Sequence, residues 1–243
     1  MTLRTALVVV PTYNERDNLP LLATALMQYP NVSLLVVDDE SPDGTGGVAD
    51  ALARQYPGRI EVMHRNTHKG LGRSYIDGIT SVISRPVDVI CQMDADLSHD
   101  PRHLPDLIAA SAHADVVIGS RYVPGGAVVN WPRRRRLLSR FANRYIRIVT
   151  RLSPRDCTSG YRCWRREALA SVPLASFTSD GYSFLVEMLY AAAAAHLRFA
   201  EVPITFVERR LGESKLTQAV LFESAITPWR LIASRNTARP TAR

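Results

Sequence analysis

The sequence predicts an α/β fold with a mostly parallel central sheet and helices on both of its faces. Short runs rich in valine and isoleucine alternate with helix-like segments through the N-terminal half, as in parallel sheets covered on both faces. Clusters of polar residues follow the carboxyl ends of these runs, where parallel sheets bind their ligands. The two observations together predict a ligand site at one edge of the sheet.

Apolar runs define the strands of the N-terminal half, and polar clusters follow them. The predicted strands span 6–11, 32–39, 59–65, 87–94 and 114–120. The helix-like segments between them span 19–29, 47–56, 71–83 and 103–112. The polar clusters that follow strands are PTYNE, DDESPDGT, DADLSHD and GSRY. Because the carboxyl ends of parallel strands meet at one edge of a sheet, we expect these loops to converge.

The C-terminal half lacks this regular alternation, and we interpret it as an extension of the same domain. It contains a predicted helix over 134–152, a turn with the sequence RDCTSGYRCW, a helix over 182–195 and a strand over 198–208. Asp156 in the turn is predicted either to orient substrate hydroxyl groups or to cap a helix. Since no repeat or linker is visible, we expect a single catalytic domain over 1–235 and a disordered tail over 236–243.

Composition restricts the classes of partner. The 243 residues are 46% hydrophobic and 22% charged, as expected of a globular chain. The formal net charge of +7 indicates anionic partners, which are nucleic acid, phosphate-bearing substrates or an acidic membrane face. The sequence contains no recognised nucleic-acid module and no basic patch interleaved with aromatic residues, so we expect no nucleic-acid partner.

The apolar segments and the cysteines indicate a cytoplasmic protein. The longest apolar stretch, Met188–Ala195, is far shorter than the roughly 20 residues of a membrane-spanning helix. No secretion signal is visible, because the apolar run 6–10 is short and polar residues follow it. Cys91, Cys157 and Cys163 form no Cys-x-x-Cys pair, so we expect reduced core thiols without disulfides or structural zinc.

Three aspartates, Asp94, Asp96 and Asp100, lie within one short turn at the end of strand 87–94. Clustered carboxylates repel one another and need solvent, a cation or a basic surface nearby. One interpretation is a solvated turn that caps the next helix. The other is a divalent cation, because carboxylate oxygens suit Mg²⁺ or Mn²⁺ beside a diphosphate. An acidic residue at the end of strand 32–39 can in turn accept hydrogen bonds from a ribose or a base.

The glycines of the segment HKGLGRSY, residues 68–75, match neither phosphate-binding loop. The third glycine of a dinucleotide fingerprint would fall at Tyr75, and the Lys-Gly pair is not followed by Ser or Thr as a P-loop requires. We therefore interpret these glycines as structural, at a loop or at the start of a helix.

Four arginines at 133–136 begin a segment with apolar residues at helical spacing and a basic opposite face. This pattern is typical of a helix that lies at a membrane surface, with a solvated face and a nucleic-acid patch as the alternatives. The segment 217–235 is a second amphipathic candidate, which otherwise packs on the domain. We expect a peripheral protein at the cytoplasmic face of the membrane.

Six motifs carry a resemblance to a known family. They are VVVPTYNERDNLP, VVDDESPDGT, MDADLSHDP, GSRYVPGG, DCTSGYR and ERRLGESK, and they cover residues 5 to 217. In this order they resemble the family 2 glycosyltransferases of GT-A fold, of the polyprenol-phosphate mannose synthase type. The resemblance implies an inverting transfer of mannose from GDP-mannose to a polyprenyl (dolichyl) phosphate with Mg²⁺ or Mn²⁺. It leaves open whether a membrane-anchoring partner protein takes part.

The resemblance also implies roles for individual residues. Donor contacts are implied at Pro11, Tyr13, Glu15, Val37, Asp39, Asp94, Ala95, Asp96, Arg121, Arg209 and Lys215. Metal ligation is implied at Asp94 and Asp96. Catalytic or acceptor-phosphate roles are implied at Asp96, Arg121, Arg135 and Ser139.

Two positions depart from the family pattern. Ser98 stands where many relatives have a glutamine that completes the metal shell, so a water can replace that ligand. Glu40 replaces a glycine in the loop after the second strand, where we expect it to reshape only the surface. The alternative functions are a UDP-glucose-dependent polyprenyl-phosphate glucosyltransferase and another family 2 glycosyltransferase.

Overall fold

The computed structural model describes residues 3–66, 70–177, 179, 181–208 and 226–233. Its helices and strands are, in chain order, β1 (Ala6–Thr12), α1 (Leu19–Met27), β2 (Val32–Asp38), α2 (Thr45–Gln55), β3 (Ile60–His64), α3 (Leu71–Val82), β4 (Val89–Gln92), α4 (Leu104–Ala110), β5 (Val116–Ser120), β6 (Ala127–Val129), α5 (Arg133–Thr150), β7 (Arg162–Arg165), α6 (Arg166–Ala170), α7 (Gly181–Ala194), β8 (Phe199–Pro203) and β9 (Thr205–Val207). Residues 226–233 are also helical. The tail predicted over 236–243 lies outside the described residues and stays a prediction.

The central sheet has seven strands in the order β3-β2-β1-β4-β7-β5-β8. Strand β1 pairs in parallel with β2 on one side and with β4 on the other. Strand β7 runs antiparallel to both of its neighbours, β4 and β5, while β8 pairs in parallel with β5. The predicted α/β class with a mostly parallel sheet is therefore confirmed. A smaller sheet pairs β6 with β9.

The side chains of each central strand feed two apolar layers, one on each face of the sheet. In β1, Val8 and Val10 belong to the layer that contains residues of α1, α2 and α4. Leu7 and Val9 belong to the opposite layer, which contains residues of α3 and α7. Because both faces are covered, β1 and β2 consist mostly of consecutive apolar residues and do not alternate with polar ones.

Two predicted elements of the C-terminal half differ from the structure. The turn RDCTSGYRCW contains the strand β7 in its second half. The strand predicted over 198–208 is two strands in different sheets, because the backbone of Ile204 bonds to Ser120 on one side and to Ala127 on the other. The buried Ile204 side chain packs against Gly119, which fixes the point where the chain changes sheets.

Two other expectations concern membranes and cysteines. Among the helices of the described ranges, none is long and apolar enough to cross a membrane. Cys91, Cys157 and Cys163 are free and buried, as predicted for core thiols. Burial raises the pKa of Cys157 to about 12, so this thiol is unreactive near neutral pH.

The close approach of α3 to the sheet generates a stability prediction. A methyl group at Gly78 would lie 2.7 Å from Val37 Cγ2 and 2.9 Å from Val9 Cγ1, whereas one at Gly47 in α2 would meet no atom within 4 Å. We expect Gly78→Ala to lower the free energy of unfolding by about 1–3 kcal/mol through overpacking. Gly47→Ala should raise it by about 0.5–1 kcal/mol through better helix propensity. Urea denaturation measures both, and equal effects of the two substitutions would contradict this packing.

Candidate active site

The polar loops after β1, β2 and β4 meet at one edge of the central sheet. The three strands run in parallel, and the register places Thr12 at the end of β1 opposite Asp38 at the end of β2. The Thr12 hydroxyl donates a hydrogen bond of 3.1 Å to Asp38 Oδ1, which ties the first two loops together. The predicted convergence of these loops is confirmed, and the converged edge is the candidate site.

The adjacent aspartates after β2 have different surroundings. Asp38 accepts hydrogen bonds from Ser41, including 2.6 Å from its hydroxyl to Oδ1, so it organises its own loop. Asp39 forms an ion pair with the buried guanidinium of Arg65 and accepts a 2.9 Å hydrogen bond from the Gly70 backbone N–H. Arg65 is held in turn by Asp77, with 2.9 Å from Nε to Oδ2. A rigid carboxylate therefore stands at the end of the second strand.

Sequence reasoning missed Arg65. One arginine after β3 gives no local signal of its burial, which depends on three distant side chains. Its guanidinium contacts Asp39, Ser74 and Asp77, and its side chain is 4% exposed. Asp39 is the implied donor ligand, so Arg65 acts through it.

The other residues of the first two strands and their loops for which the resemblance implies nucleotide-sugar contacts differ in exposure. Glu15 Oε2 accepts a 2.8 Å hydrogen bond from Asn18, and Tyr13 is exposed at the same loop. Pro11 is half-buried at the end of β1. Val37 is completely buried and its side chain packs against α3, so only its backbone atoms can face a ligand at this edge.

The aspartates of the loop after β4 differ in burial and in hydrogen-bond partners. Asp96 is buried, and its Oδ1 accepts hydrogen bonds of 2.6 Å from the Ser98 hydroxyl and 3.0 Å from the Ser98 N–H. Asp100 accepts a 2.9 Å hydrogen bond from the Arg102 N–H and caps the following helical turn. Its side-chain hydrogen bond from Arg102 lowers the pKa of Asp100. The capping interpretation is therefore right for Asp100.

Asp94 is the more accessible carboxylate, with a side chain that is 35% exposed. The Tyr75 hydroxyl approaches its Oδ1 at 3.4 Å, and its backbone N–H donates 3.1 Å to Nδ1 of buried His99. Burial, followed by the charge of Asp94, raises the pKa of Tyr75 well above its ordinary value, so Tyr75 stays protonated as a donor. Ala95 between the two aspartates is buried.

The donor types of Asp94 and Asp96 fit a hard divalent cation. No group of three or more metal-binding side chains of His, Cys, Asp or Glu exists within the described part of the chain. Mg²⁺ requires no such group, because it is commonly held by one or two carboxylates with waters and substrate phosphates. Ser98 directs its hydroxyl to Asp96. Asp94 and Asp96 are therefore candidate ligands for such an ion, whose shell a diphosphate and waters would complete.

A buried ion pair stands beside the carboxylates. Arg121 donates from Nε and Nη2 to the two oxygens of Asp156, both at 2.7 Å, and from Nη2 to Thr158 Oγ1 at 2.8 Å. Burial alone would raise the pKa of Asp156, but attraction to Arg121 and the hydrogen bonds from it outweigh burial and lower this pKa. Asp156 therefore orients Arg121, and the helix-cap alternative for Asp156 is wrong.

The first turns of α5 carry the other implied acceptor residues. Arg135 pairs through Nη1 with Glu208, and its guanidinium lies 4.1 Å from the ring centroid of Trp131. Ser139 Oγ accepts a 2.7 Å hydrogen bond from the Tyr122 hydroxyl. Because Tyr122 follows Arg121 in the chain, this bond holds the end of β5 against the first turns of α5. Arg121 and Arg135 both lie near the Trp131 ring, and we call these two arginines the basic cluster. The implied ligands Arg209 and Lys215 lie outside the described residues.

The segment 156–160 joins the carboxylate loop to this basic cluster. At one end Asp156 binds Arg121, and at the other a methyl group at Gly160 would lie 3.5 Å from Asp94 Oδ1. Buried Arg162 donates to the carbonyls of Ser159 and Cys157 at 2.9 Å each. Burial lowers the pKa of Arg162 to about 10, so it remains charged near neutral pH. The segment is thus fixed between the two halves of the site.

Helix α5 leaves an apolar and basic face uncovered. Leu137, Phe141 and Ile148 are each 67–68% exposed, on a helix that carries arginines on both sides of them. The helical residues 226–233 contact it through a 2.8 Å hydrogen bond from Trp229 Nε1 to the Tyr145 hydroxyl. Trp229 is itself 59% exposed. The amphipathic helix predicted at this position is confirmed.

Comparison with known proteins places this geometry in a family. Glycosyl transferase family 2 matches residues 7–172. The chain is 45% identical to a polyprenol monophosphomannose synthase of Mycolicibacterium smegmatis over 98% of this chain and 91% of that protein. It is 46% identical to an undecaprenyl-phosphate mannosyltransferase of Micrococcus luteus over 93% of this chain and 94% of that protein.

A solved structure shares the fold at lower identity. Glucosyl-3-phosphoglycerate synthase from Mycobacterium tuberculosis, in complex with Mn²⁺, UDP and glucosyl-3-phosphoglycerate, matches with a TM-score of 0.67 and 18% identity. The match covers 98% of this chain and 82% of that one. The fold is therefore GT-A-like, and the chain belongs to glycosyl transferase family 2 and is a glycosyltransferase.

Proposed function

We propose that this glycosyltransferase moves mannose from GDP-mannose to a polyprenyl phosphate with inversion at the sugar. The observation that carries the proposal is the segment 156–160, which binds Arg121 through Asp156 and approaches the accessible carboxylate of Asp94 at Gly160. A donor diphosphate at the first and an acceptor phosphate at the second would meet across this segment. The names of the two relatives with 45% and 46% identity support mannose and a polyprenyl phosphate.

The donor base would bind at the end of β2. One oxygen of Asp39 binds Arg65 and the other accepts from the Gly70 N–H, so each keeps a lone pair that could accept one of the two adjacent donors of guanine, its ring N–H and its exocyclic amine. Uracil offers a single N–H, so a carboxylate recognises it less completely. This chemistry supports GDP as the nucleotide, with Pro11, Tyr13, Glu15 and the Val37 backbone around it.

A divalent ion, Mg²⁺ or Mn²⁺, would be held by Asp94 and Asp96 with oxygens of the diphosphate. It would neutralise the negative charge that grows on the leaving diphosphate. Around it, buried Asp96 keeps a fixed orientation through Ser98, and Asp94 is held by its contacts with Tyr75 and His99. Ala95, Arg209 and Lys215 are the further donor residues of this proposal.

The chemical step needs no strong base. The acceptor phosphate is already anionic near neutral pH, because the second pKa of a phosphate monoester is near 6. Its oxygen attacks the anomeric carbon from the face opposite the diphosphate, and the bond between that carbon and the diphosphate oxygen breaks. Arg121, Arg135 and Ser139 hold the acceptor phosphate in this proposal, since charge-assisted hydrogen bonds position a phosphate better than neutral ones do.

The uncovered face of α5 would lie on the membrane that contains the lipid acceptor. Exposed apolar side chains flanked by arginines suit the boundary between acyl chains and anionic headgroups. We expect the protein to sediment with anionic phospholipid vesicles, and less so as salt is raised, because screening weakens the arginine contacts. Sedimentation that depends on neither lipid charge nor salt would contradict this contact. If a membrane-anchoring protein also takes part, the enzyme should bind membranes that contain it more strongly than vesicles of lipid alone.

The proposed reaction is tested with a panel of radiolabelled nucleotide sugars, polyprenyl phosphate and Mg²⁺ or Mn²⁺. We expect labelled lipid from GDP-mannose, none in excess chelator, and loss of at least about a hundredfold in Asp96→Ala. The matched control is Asp50→Ala, because the Asp50 side chain is 45% exposed and pairs with His64 at the surface. Labelled lipid from UDP-glucose and not GDP-mannose would overturn the proposal, as would full turnover in chelator.

A further inference from the structure

Glu208 is the carboxylate partner of the Arg135 guanidinium. Its carboxylate forms an ion pair with Arg135 Nη1, and the two side chains are 33% and 24% exposed, respectively. The backbone of Glu208 is fixed by a 3.2 Å hydrogen bond from its N–H to the Val129 carbonyl at the end of β6. The contact therefore joins the end of the small sheet to the first turn of α5.

This ion pair leaves two nearby buried N–H donors without a hydrogen-bond partner among the described residues. Arg135 Nε is buried and has no hydrogen-bond partner among the described residues, and the same holds for Nε1 of Trp131 beneath it. A buried N–H without a partner is destabilising, because it has lost its hydrogen bonds to water and gained none in return. One of these donors belongs to the guanidinium and the other to the ring 4.1 Å from it, and an anion with several oxygens could serve both, which a carboxylate paired with Nη1 does not.

Among the described residues, the guanidiniums near the Trp131 ring already have carboxylate partners. The two guanidiniums near its ring, those of Arg121 at 5.7 Å and Arg135 at 4.1 Å, each have a carboxylate partner. Asp156 is buried and holds Arg121 through both oxygens, whereas Glu208 is a third exposed and holds Arg135 through one nitrogen. An incoming phosphate would place like charge beside Glu208, and like charges in a partly buried site repel. Glu208 is the carboxylate that can leave.

We propose that Glu208 takes the place of the acceptor phosphate on Arg135 when the site holds no acceptor, and that a phosphate monoester displaces it. This inference rests on the proposed function, which assigns the acceptor phosphate to Arg135. A monoester carries a charge of about −1.5 to −2 at neutral pH, so it binds the guanidinium more strongly than the single charge of Glu208. A diester or a carboxylate, with one charge, gains little by the exchange. Glu208 thus selects monoesters.

The test is the apparent KM for a short-chain polyprenyl phosphate in Glu208→Gln. Removing the competing charge while keeping the side-chain shape should lower this KM about three- to fivefold, the scale of a partly exposed ion pair. Inhibition by inorganic phosphate and by dimethyl phosphate should strengthen, with the larger gain for the singly charged diester. The matched control is Glu61→Gln, since Glu61 pairs with Arg85 far from the site and should leave KM unchanged. A KM that stays the same or rises in Glu208→Gln would overturn the inference.

Arg135→Ala separates this inference from the proposed function. It should raise the KM or lower transfer at least about tenfold, while Arg134→Ala, at the exposed neighbouring position, should do much less. In the Arg135→Ala background, Glu208→Gln should have no further effect. If Arg135→Ala and Arg134→Ala behave alike, the assigned acceptor site fails. If Arg135→Ala has its expected effect while Glu208→Gln raises KM, only the displacement by phosphate fails.

Discussion

The ion pair between Arg121 and Asp156 is the interaction on which the site depends. Both side chains are almost completely buried, with 5% and 0% exposure. Removal of one partner from such a pair leaves an uncompensated buried charge and costs about 3–5 kcal/mol. The pair exists because β7 runs antiparallel between β4 and β5. The amino end of an antiparallel strand lies at the carboxyl edge of its neighbours, so the segment entering β7 must pass through the ligand-binding edge.

This topology places one segment between the two halves of the candidate site. Residues 156–160 bind the end of β5 through Asp156 and approach the carboxylate loop at Gly160. Asn143 of α5 accepts a 2.7 Å hydrogen bond from the Cys157 N–H, so the helix that carries Arg135 is held by the same segment. Arg162 binds carbonyls of this segment and also donates a 2.7 Å hydrogen bond to the Leu185 carbonyl, so it ties the segment to α7. The carboxylate loop, Arg121, Arg135 and the exposed face of α5 are thus held in one frame.

The sequence predicted the parts of the fold that depend on local pattern. The buried strands β1, β2, β4 and β5 were predictable because continuous Val and Ile runs specify sheets covered on both faces. Strand β7 was not, because RCWR contains a fully buried arginine whose burial depends on three backbone carbonyls, and no side-chain pattern in the sequence reveals these partners. The same reason hides Arg65 and Glu208: each matters through a partner far away in the chain, 26 positions from Arg65 to Asp39 and 73 from Glu208 to Arg135. The motif resemblance located the site edge, while the ion pairs that orient it required the structure.

The central claim is that the Arg121–Asp156 pair organises the proposed acceptor half of the site and that the proposed donor half does not depend on it. The substitution Asp156→Asn tests this claim most directly. This substitution keeps the volume of the side chain and removes its charge. Two quantities are measured together: the apparent KM for polyprenyl phosphate and the rise in Tm caused by GDP, which reports binding to the native state. Asp115→Asn is the control, because Asp115 is an ion-paired carboxylate at the opposite end of β5. The account predicts a lower Tm and a KM raised at least about tenfold in Asp156→Asn, with the GDP-induced rise in Tm retained. An unchanged KM together with loss of the GDP-induced rise would contradict it.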